Sequence, residues 1–564
     1  MQIFRLAALA IAAVGFAVGA NAQTIVAADV TTNTTWGGAA NPSPIILQNP
    51  IFVKNGATLT ILPGTIVRGQ PRSGPVVEGS TVGTPGALIV TQNGRLVANG
   101  AANNPIVMTT AAVDNDNDGN ADIVGGFEKE WVPGDIFLDD TPTTAPLAPL
   151  NKAGLSNVAL WGGVVVLGNA PTNNAEKSGV GYGRALVEGL TVPGFLPADA
   201  TYGGTDPHDS SGSLRFISIR HAGDELGVSN ELNGLSLGGV GDGTTVENIE
   251  VYCNFDDGIE WFGGTVNGKN LFVAYVGDDM FDLDEGYTGT NQFLFGIMPF
   301  FNENGGAPYG SLSGDKAGEF DGDNYRPDNV ALNNNVNIRR GIDALPASEG
   351  TPWPLSNPAM YNMTLIGSTP VAPQFFTPVS AASVNRGIQV RNGFAGLVSN
   401  SIVIRTGTEE GLEVGPSAVE TPGFDVVTNT NNGLISFACT TFDNTGALDA
   451  TELVASANGN ALQVSQGGAA GSANTINVAA WPGLVNEDTT FDPTGDAAGK
   501  LVPAVKPAPI DPRPLGGLTG TGGCVVPQSP ALSKVTYRGA FAGTAVTLWT
   551  TPWTALNIGG VLAD

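Results

Sequence analysis

Short runs of β-branched and aliphatic residues, each closed by Gly, Asn or Pro, recur along the chain: Ile51-Phe52-Val53, Leu59-Thr60-Ile61-Leu62, Ala87-Leu88-Ile89-Val90, Ile106-Val107-Met108 and Val164-Val165-Val166-Leu167. Such runs predict strands, and the period of an amphipathic helix is nearly absent. The strands also repeat. Val246–Gly264 laid over Gly268–Gly286 matches at a step of 22 residues, with Asn248-Ile249-Glu250-Val251 over Asn270-Leu271-Phe272-Val273. A step of about that length is one turn of a right-handed parallel β-helix, whose coils bury their apolar faces only by stacking. Lys54-Asn55-Gly56-Ala57-Thr58-Leu59 is echoed 38 residues on by Gln92-Asn93-Gly94-Arg95-Leu96-Val97, as coils interrupted by loops predict. Asn followed three residues later by an aliphatic residue returns at Asn248, Asn270, Asn362 and Asn400. That pattern predicts an asparagine ladder at a tight turn.

The expected organisation is therefore an all-β, right-handed parallel β-helix solenoid with loop insertions over residues 46–430. An N-terminal cap over 23–45 precedes it, and an irregular C-terminal capping region over 431–564 folds back on the last coil. Such a cap protects an open sheet edge. Residues 1–22 read as a secretory signal: Arg5, an apolar stretch from Leu6 to Val18, then Ala20-Asn21-Ala22 before Gln23. The mature chain is expected to be exported, to the extracellular space or the cell surface, with no transmembrane segment. It would carry 23 basic and 52 acidic residues, a formal charge of −29, which excludes nucleic acid and anionic membranes as partners. With 78 Gly and 38 Pro the chain is turn-rich. Of the three cysteines, Cys253 reads as a buried thiol in a strand, and Cys439 and Cys524 as a disulfide pair in an oxidising compartment.

The 22-residue step has a chemical consequence. It stacks Asp256 under Asp278, Asp257 under Asp279 and Glu260 under Asp282, in coils only about 4.8 Å apart. The carboxylates are then forced together unless a cation or a proton intervenes. Asp315, Glu319 and Asp321 follow Asp278, Asp282 and Asp284 at a common offset of 37, and Lys316 replaces the second Asp of the pair. Asp256, Asp257, Asp278, Asp279, Asp282 and Asp284 are thus candidate calcium ligands, since a hard dication takes six to eight oxygens at roughly 2.3–2.6 Å. The competing reading has the same carboxylates facing water or accepting turn amides. A second candidate calcium loop is Asp114-Asn115-Asp116-Asn117-Asp118-Gly119-Asn120-Ala121-Asp122, with oxygen donors at Asp114, Asp116, Asp118, Asn120 and Asp122. It lacks the closing Glu of an EF-hand, because Gly125 stands there.

As catalysts, Glu260 and Asp282, backed by Asp257 and Asp279, could act as an acid and base at a glycosidase spacing. A lyase would need a base from Arg220, Lys269 or Lys316. The sugar platforms would be Trp261, Phe262, Phe281 and Tyr287. His208 and His221 read as structural.

Asn55–Thr65, Trp161–Gly168, Ser213–Gly223, Asp256–Gly264 and Tyr537-Arg538-Gly539-Ala540-Phe541 resemble a family of secreted bacterial right-handed β-helix proteins, similar in architecture to the pectate-lyase-like superfamily. The resemblance implies the fold far more than any activity, since that fold hosts lyases, hydrolases, adhesins and surface proteins. The function expected from the sequence is extracellular or cell-surface binding by a calcium-stabilised solenoid, with a polysaccharide or cell-envelope polymer as partner. The alternative is a polysaccharide lyase or glycoside hydrolase using the stacked carboxylates.

Overall fold

A computed structural model describes residues 23–74, 83–115, 121–124, 127–128, 157–173, 183–190, 195–227, 230–298, 314–322, 356–367, 386–404, 411–415, 426, 429, 434–443, 454–456, 475–476, 484–486, 511–514, 524, 526, 529, 531–543, 546–559 and 562. The proposed signal and Asp116, Asp118 and Asn120 lie outside the described residues.

Parallel pairing dominates. Among the described residues, strands from successive coils build a 17-stranded sheet and a 10-stranded sheet. One coil shows the path: Leu235–Gly238 lies in the short sheet, Thr245–Tyr252 in the long one, and Ile259–Phe262 returns to the short sheet. Thr245–Tyr252 pairs with Asn267–Ala274, and Ile259–Phe262 with Phe281–Asp284, both at the step of 22. Alternation along each strand fills the interior: Leu235, Leu237, Ile259, Trp261, Phe281 and Leu283 are fully buried in one continuous core. This is a parallel β-helix.

Register corrects one expectation. Thr58 pairs with Arg95 and Leu59 with Leu96, a step of 37 and not 38. At 38, inward Leu59 would pair with half-buried Val97, and a one-residue slip would turn a whole strand inside out. The coils also run beyond the predicted limits. Thr24–Val26 and Thr34–Trp36 already pair in parallel with later strands, so residues 23–45 belong to the first coil. Past residue 430, Thr441–Asp443 pairs with Thr475–Ile476.

The long strands bend at one left-handed residue each. Asn248, Asn270, Asn362 and Asn400 all sit there, with φ of 57°, 56°, 57° and 54°, a conformation in which Asn is better tolerated than most residues. The ladder is shorter than expected. Asn270 Nδ2 donates to Asn248 Oδ1 at 3.0 Å, but the next coil places Phe293 at the bend, and Gln292 Nε2 reaches Asn362 Oδ1 instead at 3.1 Å. Asn362 and Asn400 donate to the carbonyls of Tyr537 and Cys524, both at 2.8 Å. Replacing Asn270 by Ala is expected to cost about 1–2 kcal/mol, from the lost amide bond and the strained backbone. Chemical denaturation checks this against Asn117→Ala in calcium-free buffer, and equal effects at the two positions would remove the ladder argument.

Those bonds show where the described C-terminal residues go. They strap the side of the solenoid; the sequence reading had them cover its end. Phe541, Leu548, Ala555 and Leu556 pack on Phe272, Phe295, Ile366 and Ile402 in a second apolar cluster. The physical reason is that the outward face of the second half of the long strands is itself apolar and has to be covered. Cys439 and Cys524 form a disulfide with Cα atoms 5.7 Å apart, tying strap to coil. Cys253 is a buried free thiol.

Candidate metal centre

One outward row runs across nine strands of the short sheet: Phe52, Ile89, Val165, Ser236, Glu260, Asp282, Glu319, Gln389 and Glu413 pair in that order. Its first part is apolar and is covered by a segment that includes Ala185, Val187, Leu190, Ala200 and Tyr202. From Glu260 onward the row is acidic except at Gln389. The chain has therefore built a carboxylate file at the margin of a hydrophobic cover, where water reaches the charges poorly.

The row divides by its counter-charges. Lys316 Nζ lies 2.5 Å from Asp315, 3.4 Å from Asp279 and 3.4 Å from Glu319. Arg391 holds Asp321 at 2.9 Å and also contacts Glu319. By contrast, no described Lys or Arg forms an ion pair with Asp257, Glu260 or Asp282. One oxygen from each of those three lies within 4.8 Å of the others. Asp256, Asp257 and Asp278 form an adjoining group of the same size, as do Asp278, Asp279 and Asp315 around the lysine. Asp284 lies outside all three groups, and its Oδ1 accepts the Glu285 N–H at 2.6 Å.

Backbone amides satisfy part of the file. Asp257 Oδ1 accepts from Asp279 N at 2.8 Å, and Asp279 Oδ1 from Lys316 N at 2.6 Å. These bonds confirm the stack Asp257, Asp279, Lys316 and agree in part with the turn-amide reading. Asp282 Oδ1 is buried with no hydrogen-bond partner. Burial, then the neighbouring Asp257, pushes the Glu260 carboxyl well above its ordinary range; burial and Glu260 do the same to Asp282. Burial and Asp278 raise Asp256 to about 8. An all-oxygen donor set with a bare buried carboxylate oxygen fits a hard dication. Zinc or copper would call for nitrogen or sulfur ligands.

The catalytic alternatives fare worse. Trp261, Phe281 and Tyr287 face inward and are fully buried, with Trp261 and Tyr287 stacked at 5.5 Å. Phe262 packs against Tyr202. The expected sugar platforms are thus core residues, because strand alternation turns Trp261 to the side opposite Glu260. Arg220 is fully buried, Lys316 is committed to three carboxylates, and Lys269 donates to Ser533 at 2.7 Å. A cavity of about 190 Å³ between the strap and the long sheet is lined by Lys269, Phe293 and Trp549, and by none of the acidic residues. His221 is buried with Nδ1 2.5 Å from Asn157 O, and exposed His208 pairs with Asp242 at 2.8 Å. In the acidic loop, Asp122 Oδ2 accepts the Asn115 N–H at 2.7 Å and Asp114 is buried.

Sequence reasoning missed the groups that come from distant loops. Glu188 and Glu231 are near enough to raise the pKa of Asp256, and Asn233 contacts Glu260 through Nδ2. None of the three belongs to the 22-residue repeat.

The chain matches the description "Pectate-lyase like beta helix domain" over residues 30–126 and 151–484. It belongs to that family. No protein of curated function and no solved structure matches it. Among the described residues, no helix is long and apolar enough to cross a membrane. Membership accounts for the coil architecture, and the acidic file on the short sheet remains the feature from which chemistry has to be argued.

Proposed function

We propose that this β-helix is an exported protein that binds calcium at Asp257, Glu260 and Asp282, with Asp256 and Asp278 adjoining. In this reading it acts outside the cell or at its surface by binding a polysaccharide or other cell-envelope polymer. One observation carries it: three carboxylates converge within 4.8 Å, and among the described residues no Lys or Arg is paired to them. Three carboxylates fill only part of a calcium shell, so hydroxyl and carboxylate oxygens of a polymer can complete it. Because Asp278 is exposed and Asp256 and Asp282 are half-buried, a ligand can approach from solvent. The inward aromatics and the committed cations speak for binding without turnover.

Asp282→Asn tests this. With a binding role, calcium affinity and calcium-dependent retention of polymer fall, and excess calcium restores much of the loss. With a catalytic role, turnover falls by orders of magnitude with binding kept, and calcium rescues nothing. A glycan array probed with and without calcium, followed by elemental analysis of the protein, reads the first pattern. Depolymerisation of any polysaccharide by the wild type, lost in this variant at saturating calcium, would overturn the binding reading.

A further inference from the structure

Asn233 stands two residues before Leu235, the first of its strand in the short sheet, one coil below Glu260. It is only 3% exposed. The Gly234 N–H beside it donates to Asp257 O at 3.0 Å, which fixes the backbone against the acidic file. Its side chain points at the site, since Nδ2 donates to Glu260 Oε2. The other end of the amide, Oδ1, is buried with no hydrogen-bond partner, as is Asp282 Oδ1. A buried amide with its acceptor unused is costly. The two ends of an Asn side chain have nearly the same shape, so a half-turn exchanges donor for acceptor without repacking.

We infer that Asn233 is a fourth oxygen donor of this centre, its amide turned so that Oδ1 faces the carboxylates when the cation is bound. The inference rests on the calcium reading above and adds to it a neutral ligand from a neighbouring coil. An N–H pointing at a dication is repelled by it, whereas a carbonyl oxygen is a normal calcium ligand. The same turn gives up the Nδ2 bond to Glu260, brings the unpaired Oδ1 onto the ion and lets Glu260 give both oxygens to it.

Calorimetric titration of the metal-free full chain with calcium tests this, the site being the one whose binding is lost in Asp282→Asn. Asn233→Ala is expected to weaken that site about tenfold or more. Asn233→Asp, which keeps an oxygen donor and adds charge, is expected to bind calcium as tightly as the wild type or tighter. A residue that merely positions Glu260 by donating to it predicts the opposite for Asp, which cannot donate when ionised and repels Glu260. Weaker binding in Asn233→Asp, or unchanged binding in Asn233→Ala, would overturn the role of Asn233 and leave the calcium reading standing. No calcium binding by the wild type would remove both. If the Ala variant does not fold, the direction of the Asp variant decides alone.

Discussion

Stripped of metal, the protein is expected to lose stability steadily as pH rises from about 4 to about 8, and saturating calcium to abolish most of that loss. Burial and crowding raise Asp257, Glu260 and Asp282 well above the ordinary carboxylate range and Asp256 to about 8. The unfolded chain ionises these groups near pH 4. Between the two limits the folded state holds more protons, so raising the pH favours unfolding. Below that window the protonated carboxylates do not repel one another, and each that ionises as the pH passes its raised pKa, about 8 for Asp256, adds to the repulsion. Calcium replaces the protons and binds the folded state alone. At 100 times its Kd it adds about 2.7 kcal/mol, and at 1,000 times about 4 kcal/mol. Its affinity rises with pH, because protons no longer compete. Thermal melts at pH 5 and pH 8, with and without calcium and with magnesium as control, measure both effects. A chelated protein as stable at pH 8 as at pH 5 would contradict the burial of the acidic file. A melt indifferent to calcium at pH 8 would contradict calcium as its counter-ion.

The solenoid was legible because its repeat is written in the strands. Ile259 with Phe281, and Glu260 with Asp282, follow from the step of 22 alone, and the inward-outward alternation then places every side chain on the core or the outer face. The same alternation already carried the answer for Trp261, which cannot share a face with Glu260; a list of nearby aromatics concealed it. What stayed hidden came from contacts without period. Arg391 reaches Glu319 and Asp321 from a coil about 70 residues on, and with Lys316 and the Arg386–Glu413 pair it supplies the counter-charges of the acidic file beyond Asp282. Asn233, Glu188 and the strap residues around Phe541 and Ala555 meet the coils through tertiary packing, which no local spacing encodes. The length of the asparagine ladder was unreadable for a similar reason. Phe293 occupies the bend of its coil and stacks on Tyr537 of the strap at 6.3 Å, so a residue some 240 positions away sets the identity of that rung.

Lys316→Met is expected to destabilise the metal-free protein by about 3–5 kcal/mol, the range for removing one partner of a buried charge group. Lys316 is 5% exposed and is the cation that reaches Asp279, itself 1% exposed. Methionine keeps most of the packing of the stem, so the loss reports charge and not a cavity. Arg391 still serves Glu319, and Asp315, which also loses the lysine, is open to water, which leaves Asp279 as the buried group abandoned. Two consequences separate this account from a general packing defect. Asp279→Asn in the Lys316→Met background is expected to recover much of the loss, because Asn keeps an oxygen for the Lys316 backbone N–H, now 2.6 Å from Asp279 Oδ1, while removing the charge. Lowering the pH to about 5 is expected to narrow the gap between Lys316→Met and the wild type, since Asp279, held high by burial, takes up a proton once the lysine is gone. Denaturant titrations of the four proteins of this cycle, at pH 5 and pH 8 in chelator, read both. A double variant no more stable than Lys316→Met, with a gap that ignores pH, would show that Lys316 contributes shape alone. The charged residues from Asp279 to Asp321 would then owe their stability to backbone pairing and not to their alternating charges.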